Sequence, residues 1–122
     1  MAADVCEISA FDRDLVAQAK GRILSDEETQ DIAELFKMLA HPTRLQILRA
    51  LAGPELCVCD LAEVLELSVS VTSYQLQMLR RLKLVRYRRE GKFAYYRVSS
   101  DFVLALLGAA QHHLGQREKS GR

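Results

Sequence analysis

The sequence predicts a mainly α-helical domain that carries one β-hairpin and dimerises through its terminal helix. Three observations predict it. Apolar residues recur at three- and four-residue spacing through most of residues 11–82, which is the helical period. Between Leu84 and Val98 the period changes to two around the turn Arg89-Glu90-Gly91-Lys92, which marks a hairpin. From about Asp101 to Glu118, Phe102, Val103, Leu104, Leu106, Leu107 and Leu114 cover much of a last helix. A chain this short cannot easily bury so apolar a helix alone, so a second copy is expected against it.

The first helix is expected over Phe11–Lys20, with Phe11, Leu15, Val16 and Ala19 on one face, and Gly21 breaks it. Ser25 and Glu28 then form a capping box, the hydroxyl taking the third amide while the carboxylate reaches back. Behind it Ile32, Leu35, Phe36 and Leu39 fall at i, i+3, i+4 and i+7, one buried stripe. Pro42 stops that helix and suits the first turn of the next, Thr43–Leu51, which ends at Gly53-Pro54. A short helix over roughly Cys57–Leu65 is expected to bury Leu61, Val64 and Leu65. After the turn Leu67-Ser68, Ser68 caps a helix from about Val69 to Leu82, with Val71, Leu76, Leu79 and Leu82 toward the core. Two short helices joined by a tight turn, the second followed by a basic hairpin, make a winged helix-turn-helix. The expected organisation is an arm and short helix over 1–24, this winged domain over 25–100, and a dimerisation helix over 101–122.

Composition narrows the classes. With 49% apolar and 27% charged residues, the chain suits a single globular domain. No run approaches the ~20 apolar residues of a membrane span. Residues 1–10 include Asp4 and Glu7 and lack the basic-then-apolar order of a signal peptide, so a cytoplasmic protein without a membrane partner is expected. Three cysteines, an odd number, argue against a disulfide framework and for free or metal-bound thiolates. The net charge of +1 conceals a division: residues 1–66 hold six Lys/Arg against thirteen Asp/Glu, net −7, and residues 67–122 hold eleven against three, net +8. The second half has a basic face to offer a polyanion.

In a winged helix-turn-helix the second helix enters the major groove and the hairpin touches neighbouring phosphates. Double-stranded DNA is therefore the expected partner. Arg80, Arg88, Arg89 and Lys92 belong to the densest basic stretch and would supply the salt-dependent phosphate attraction. Ser68, Ser70, Ser73, Tyr74 and Gln75 sit where base edges and phosphates come within reach; glutamine can read adenine bidentately. Tyr74 equally suits a packing role at the helix start.

The second constellation is Cys57-Val58-Cys59-Asp60. Residues i and i+2 stand ~200° apart on a helix, yet at a frayed helix start both sulfurs can converge on one ion. The pair also reads as two small buried apolar residues. Cys6, in a polar arm, offers a third thiolate, and Asp60 a carboxylate. Along the last helix Asp101, His112, His113, Gln116 and Glu118 suggest a second metal site, while a His pair near a helix C-terminus also favours the dipole. A thiol enzyme would need a Cys-x-x-Cys or a Cys-near-His pattern, and neither occurs. No enzymatic activity is expected.

Four segments together carry a resemblance: Leu39-Ala-His-Pro-Thr-Arg-Leu-Gln-Ile-Leu48, Glu55-Leu-Cys-Val-Cys-Asp-Leu-Ala62, Ser68 through Leu79, and Arg89-Glu-Gly-Lys-Phe-Ala-Tyr-Tyr96. Over about residues 30–115 the chain resembles the ArsR/SmtB family of metal-sensing repressors, and Glu-Leu-Cys-Val-Cys-Asp is most similar to the cadmium/lead/zinc-sensing branch. The resemblance implies a homodimer that binds operator DNA in the apo form and releases it on binding Cd(II), Pb(II) or Zn(II). The ligands it implies are Cys57 and Cys59, with Cys6 from the arm of a second copy. The chain departs from the branch in having one arm cysteine, so Asp4, Glu7, Asp60, water or nothing takes the fourth position. A three-thiolate site also suits As(III), and an arsenite- or redox-sensing repressor of the same fold is the alternative. The family's second site falls here on Ser100, Phe102, His113 and Gln116. Of these His113 is the one good ligand, so that site is either lost or rebuilt with Asp101, His112 or Glu118. Tyr74 stands where many relatives have His.

Overall fold

The computed structural model describes residues 11–99 and 101–120, the side chains of 117–120 excepted. Its elements run α1 (Arg13–Arg22), α2 (Asp26–Leu39), α3 (Pro42–Ala50), β1 (Leu56–Cys57), α4 (Val58–Leu65), α5 (Val69–Arg81), β2 (Val85–Glu90), β3 (Phe93–Val98) and α6 (Asp101–Ser120). The chain divides into two units, Met1–Glu34 and Leu35–Arg122.

In the first unit Asp12 caps α1, its Oδ1 accepting from the Leu15 amide at 3.2 Å. Gly21 lies inside α1 instead of ending it. Glycine costs an exposed helix only about 1 kcal/mol, and the helix stops where Ile23 turns extended. The capping box forms as expected: Ser25 Oγ accepts from the Glu28 amide at 3.1 Å, and Glu28 Oε1 accepts from the Ser25 amide at 3.4 Å.

The second unit is built around Ile47, Leu48 and Leu51 near α3, with Leu61, Leu76, Leu79, Leu84, Val85, Tyr96 and Val103 packed about them. Pro42 opens α3, where its missing amide costs nothing. Leu39 joins the core and Leu35 packs on it, whereas Ile32 and Phe36 of the expected stripe stay exposed. On α4 the inward residues are Val58, Leu61, Ala62 and Leu65, again at i, i+3, i+4 and i+7. Val64, one residue and about 100° away from Leu65, is 59% exposed. Helix α5 repeats the pattern with Thr72, Gln75, Leu76 and Leu79 inward, which leaves Val71 outside. The buried Thr72 hydroxyl is satisfied by donating to the Ser68 carbonyl at 2.8 Å.

Both helices of the helix-turn-helix end on a left-handed residue that is not glycine, Glu66 at φ 56° and Lys83 at φ 61°. In each case the next amide reaches back five residues, Leu67 N to Ala62 O and Leu84 N to Leu79 O, both at 3.0 Å. These are Schellman ends. The left-handed conformation costs a residue with a side chain ~1–2 kcal/mol, partly offset in glycine by greater unfolded-state freedom. Glu66→Gly is therefore expected to stabilise the domain by about 0.5–1 kcal/mol, read as a higher urea midpoint at unchanged m.

The hairpin pairs Val85 with Val98 through to Glu90 with Phe93. Its turn is Gly91-Lys92, with Gly91 at φ 64°, the positive φ that two-residue hairpin turns require. A third strand, β1, adds to its other side, Leu56 opposite Tyr96 and Cys57 opposite Tyr95. The sheet order is β1-β3-β2. At the far end of the chain, α6 buries Val103 and packs Leu104, Leu106 and Leu107 on the core, while Phe102 and Leu114 remain exposed. Among the described residues no helix is long and apolar enough to cross a membrane.

Candidate nucleic-acid interface and thiol cleft

Helix α5 presents the expected serines unequally. Ser68 Oγ accepts from the Val71 amide at 3.1 Å, so this hydroxyl caps the helix. Ser70 is exposed and Ser73 half-buried. Tyr74 is also exposed, which removes its packing role. Gln75 corrects the sequence reading. It is 9% exposed, and its Oε1 accepts from Arg44 Nε at 2.8 Å. The helical stripe Thr72-Gln75-Leu76-Leu79 turns it inward, away from any groove.

The wing sorts its cations likewise. Arg88, expected on a phosphate, donates through Nε to Glu55 Oε1 at 2.7 Å and through Nη1 to Glu90 Oε1 at 2.8 Å, and it lies 5.0 Å from the centroid of the Tyr95 ring. These hydrogen bonds, Glu55's first, raise its pKa further above the ordinary arginine value. Arg88 is already paired with two carboxylates. Arg89 and Lys92 are exposed and, among the described residues, form no ion pair. Arg80 lies over the Tyr87 ring at 4.3 Å, and Tyr87 stacks on Tyr96 with centroids 5.5 Å apart. This stack fastens the end of α5 to the wing. Burial pushes the Tyr96 phenol up, against the pull of Arg80, so it stays neutral at physiological pH.

Between α5, the wing and the start of α4 lies a cleft of about 690 Å³. Ser73, Gln77, Arg80 and Arg81 of α5 form one wall, and Arg89 and Lys92 of the hairpin another. Cys57 and Cys59 line the same space. Cys57 is the last residue of β1 and 7% exposed; Cys59 is the second residue of α4 and exposed. The strand–helix junction thus places both cysteines on the border of one cleft. Neither is in a disulfide. Asp60 is exposed in the first turn of α4. Gln77 and Arg81, absent from the sequence-expected contact set, were findable by counting one and two turns on from Ser73 and Tyr74.

The remaining expected ligands do not assemble within one chain. Cys6, Asp4, Glu7 and Ser100 lie outside the described residues, as does the Glu118 side chain. Asp101, His112 and His113 are exposed on α6. Eleven residues separate Asp101 from His112, about 16 Å of helix, so Asp101 cannot share an ion with the His pair of its own chain. His113 and Gln116 stand on adjacent turns. Among the described residues no group of three or more His, Cys, Asp or Glu side chains is placed to hold a metal ion.

Known proteins share this fold. The model of the bacterial regulatory protein, arsR family, matches residues 41–87. A cadmium resistance transcriptional regulatory protein CadC homolog of Staphylococcus aureus is 38% identical over 119 residues, 97% of this chain and 96% of that one. The AntR antimony-specific transcriptional repressor superposes with a TM-score of 0.72 at 32% identity, over 97% of this chain and all of its own. The homodimeric winged helix-turn-helix DNA-binding domain Mb0332 of Mycobacterium bovis has a TM-score of 0.70 at 31% identity, over 83% of this chain and 96% of its own.

Proposed function

Because the chain belongs to the ArsR/SmtB family of transcriptional repressors, we propose that it is a cytoplasmic, homodimeric repressor that binds operator DNA metal-free and releases it on binding Cd(II), Pb(II) or Zn(II). The observation that carries this reading is the shared cleft, which Cys57 and Cys59 line together with Arg80, Arg81, Arg89 and Lys92 of α5 and the wing. Ser70, Ser73 and Tyr74 are offered to the major groove, and Arg80, Arg89 and Lys92 to phosphates. Cys57 and Cys59, with Cys6 from a second copy's arm, would hold the ion, and Asp60 is the carboxylate nearest in sequence. This donor set fits, since thiolates select soft ions over Mg(II) or Mn(II). A bound ion supplies directional bonds to both sulfurs. Cys57 pairs with Tyr95 across β1 and β3, so movement at residues 57–59 is passed directly to the wing. The same residues open α4, the helix that supports α5. Metal and DNA are then negatively coupled, typically by ~1–3 kcal/mol, and each weakens the other equally.

The cadmium-resistance relative supports the divalent-metal reading. A second reading, thiol sensing of trivalent arsenic or antimony, is favoured by the cleft's charge: Arg80, Arg81, Arg89 and Lys92 oppose an incoming dication but not a neutral hydroxide. The likeness to the antimony-specific repressor supports it too. The test is release of a fluorescent operator duplex by Cd(II), Pb(II), Zn(II), arsenite, antimonite or peroxide. Release by a divalent ion is expected. Release by the metalloids or peroxide alone selects the second reading or its redox variant, and release by none of them sinks both.

Arg89→Ala is expected to lower the salt slope of DNA binding by about 1 on operator and random duplex alike. Arg88→Ala should change the slope less, because Glu55 and Glu90 already balance that charge. Affinity measured across a salt series checks both.

A further inference from the structure

Arg44 is the third residue of α3 and is buried. Among the described residues no carboxylate lies within ion-pair distance of it. Its Nε donates to Gln75 Oε1 at 2.8 Å, and its Nη1 donates to the Met38 carbonyl at 3.1 Å. Met38 O is one of the last four carbonyls of α2, which have no partner within their own helix, and a cation there also meets the negative end of the helix dipole. One guanidinium therefore joins the end of α2 to the inward face of α5. Tyr74 and Ser73 immediately precede Gln75 on that helix.

We propose that Arg44 is a positioning residue for DNA recognition, setting the roll of α5 about its axis through the directional hydrogen bond to Gln75. This rests on the DNA-binding reading above. Leucine contacts resist separation but tolerate rotation, whereas a hydrogen bond weakens steeply once misaligned. With side chains out to about 5–6 Å from the axis, a roll of about 20° carries Ser70 or Tyr74 roughly 2 Å sideways, enough to lose a base contact. A buried cation held by neutral acceptors is also a costly way to obtain stability alone, since apolar replacements of such polar groups are often neutral or stabilising.

The experiment separates positioning from packing. Wild-type full-length protein selects duplexes from a randomised library, and a selected site and a scrambled duplex then serve as probes. In Gln75→Leu the guanidinium loses its acceptor, so both the melting temperature and the selected-to-scrambled affinity ratio should fall. The double variant Arg44→Met/Gln75→Leu should recover the melting temperature but keep a ratio about tenfold or more below wild type, with an unchanged salt slope. Gln75→Glu, which retains an acceptor for Arg44, should keep the wild-type ratio. If the double variant regains the ratio together with the melting temperature, or if Gln75→Glu loses it while folded, the pair is merely structural. Should the double variant not fold, the Gln75→Glu result decides. Failure of the wild type to select any sequence would instead overturn the DNA-binding reading itself.

Discussion

Serine at either Cys57 or Cys59 is expected to abolish metal-induced release of operator DNA while leaving metal-free binding within about twofold of wild type. Each change removes one of two cysteine sulfurs from the cleft, and a hydroxyl is a poor ligand for a soft ion. Neither position is on α5 or the hairpin, so the proposed groove contacts should survive. Cys57 is buried in β1, and a serine there costs roughly 1–3 kcal/mol unless it finds a partner, so its melting temperature is measured alongside. Cys6→Ser should weaken metal binding less but uncouple it from release, because two thiolates and a carboxylate can still hold an ion without engaging the arm. Thiolate charge-transfer absorption reports binding and operator anisotropy reports release. A Cys57→Ser protein that still responds to Cd(II), beside a His113→Ala protein that does not, would move the sensing site to α6.

Leu114→Asp is expected to convert the protein to monomers and lower operator affinity by at least about a hundredfold, because each protomer alone holds one half-site. Leu114 is 47% exposed and stands outside the core, so the substitution should not unfold the chain. It shares a helix face with Ala110 and Leu107, one and two turns earlier. In the first half of α6, Val103, Leu104, Leu106 and Leu107 pack on the core, and Leu114 in the second half lies beyond it. In the proposed dimer a carboxylate placed there would meet an apolar partner surface, where it is costly to bury unpaired. Sedimentation should show monomer with unchanged circular dichroism. An intact Leu114→Asp dimer would remove α6 as the interface.

The helices, their caps and the hairpin were legible in the sequence because each has a local cause: Ser25 with Glu28, Pro42, Ser68, and the change of period at Leu84. What was not legible depends on tertiary partners. Strand β1 has two residues, too few to show any period, and exists because β3 offers it an edge. Gln75 looked like a base reader by residue type, and only the position of Arg44, thirty-one residues earlier, turns it into a buried acceptor. Val64 and Val71 were misplaced because an apolar residue one step off the stripe carries no mark of which neighbour the core will choose. Arg88 was counted with its neighbours until Glu55, far away in sequence, took its charge. The frayed helix start expected at the two cysteines is instead a strand–helix junction, with Cys57 ending β1 and Cys59 inside α4.

The strand order β1-β3-β2 leaves β2 as an outer strand, and an outer strand displays a row of unpaired amides and carbonyls that another chain can adopt. Four of its six residues, Arg86, Arg88, Arg89 and Glu90, are charged. The opposite margin is closed by shortness, since β1 has only two residues. Charge along one border and brevity along the other are both defences against sheet-to-sheet polymerisation. The arginines that suit the wing to a polyanion thus also protect the protein when no polyanion is there. Neutralising them together is expected to favour self-association through the sheet.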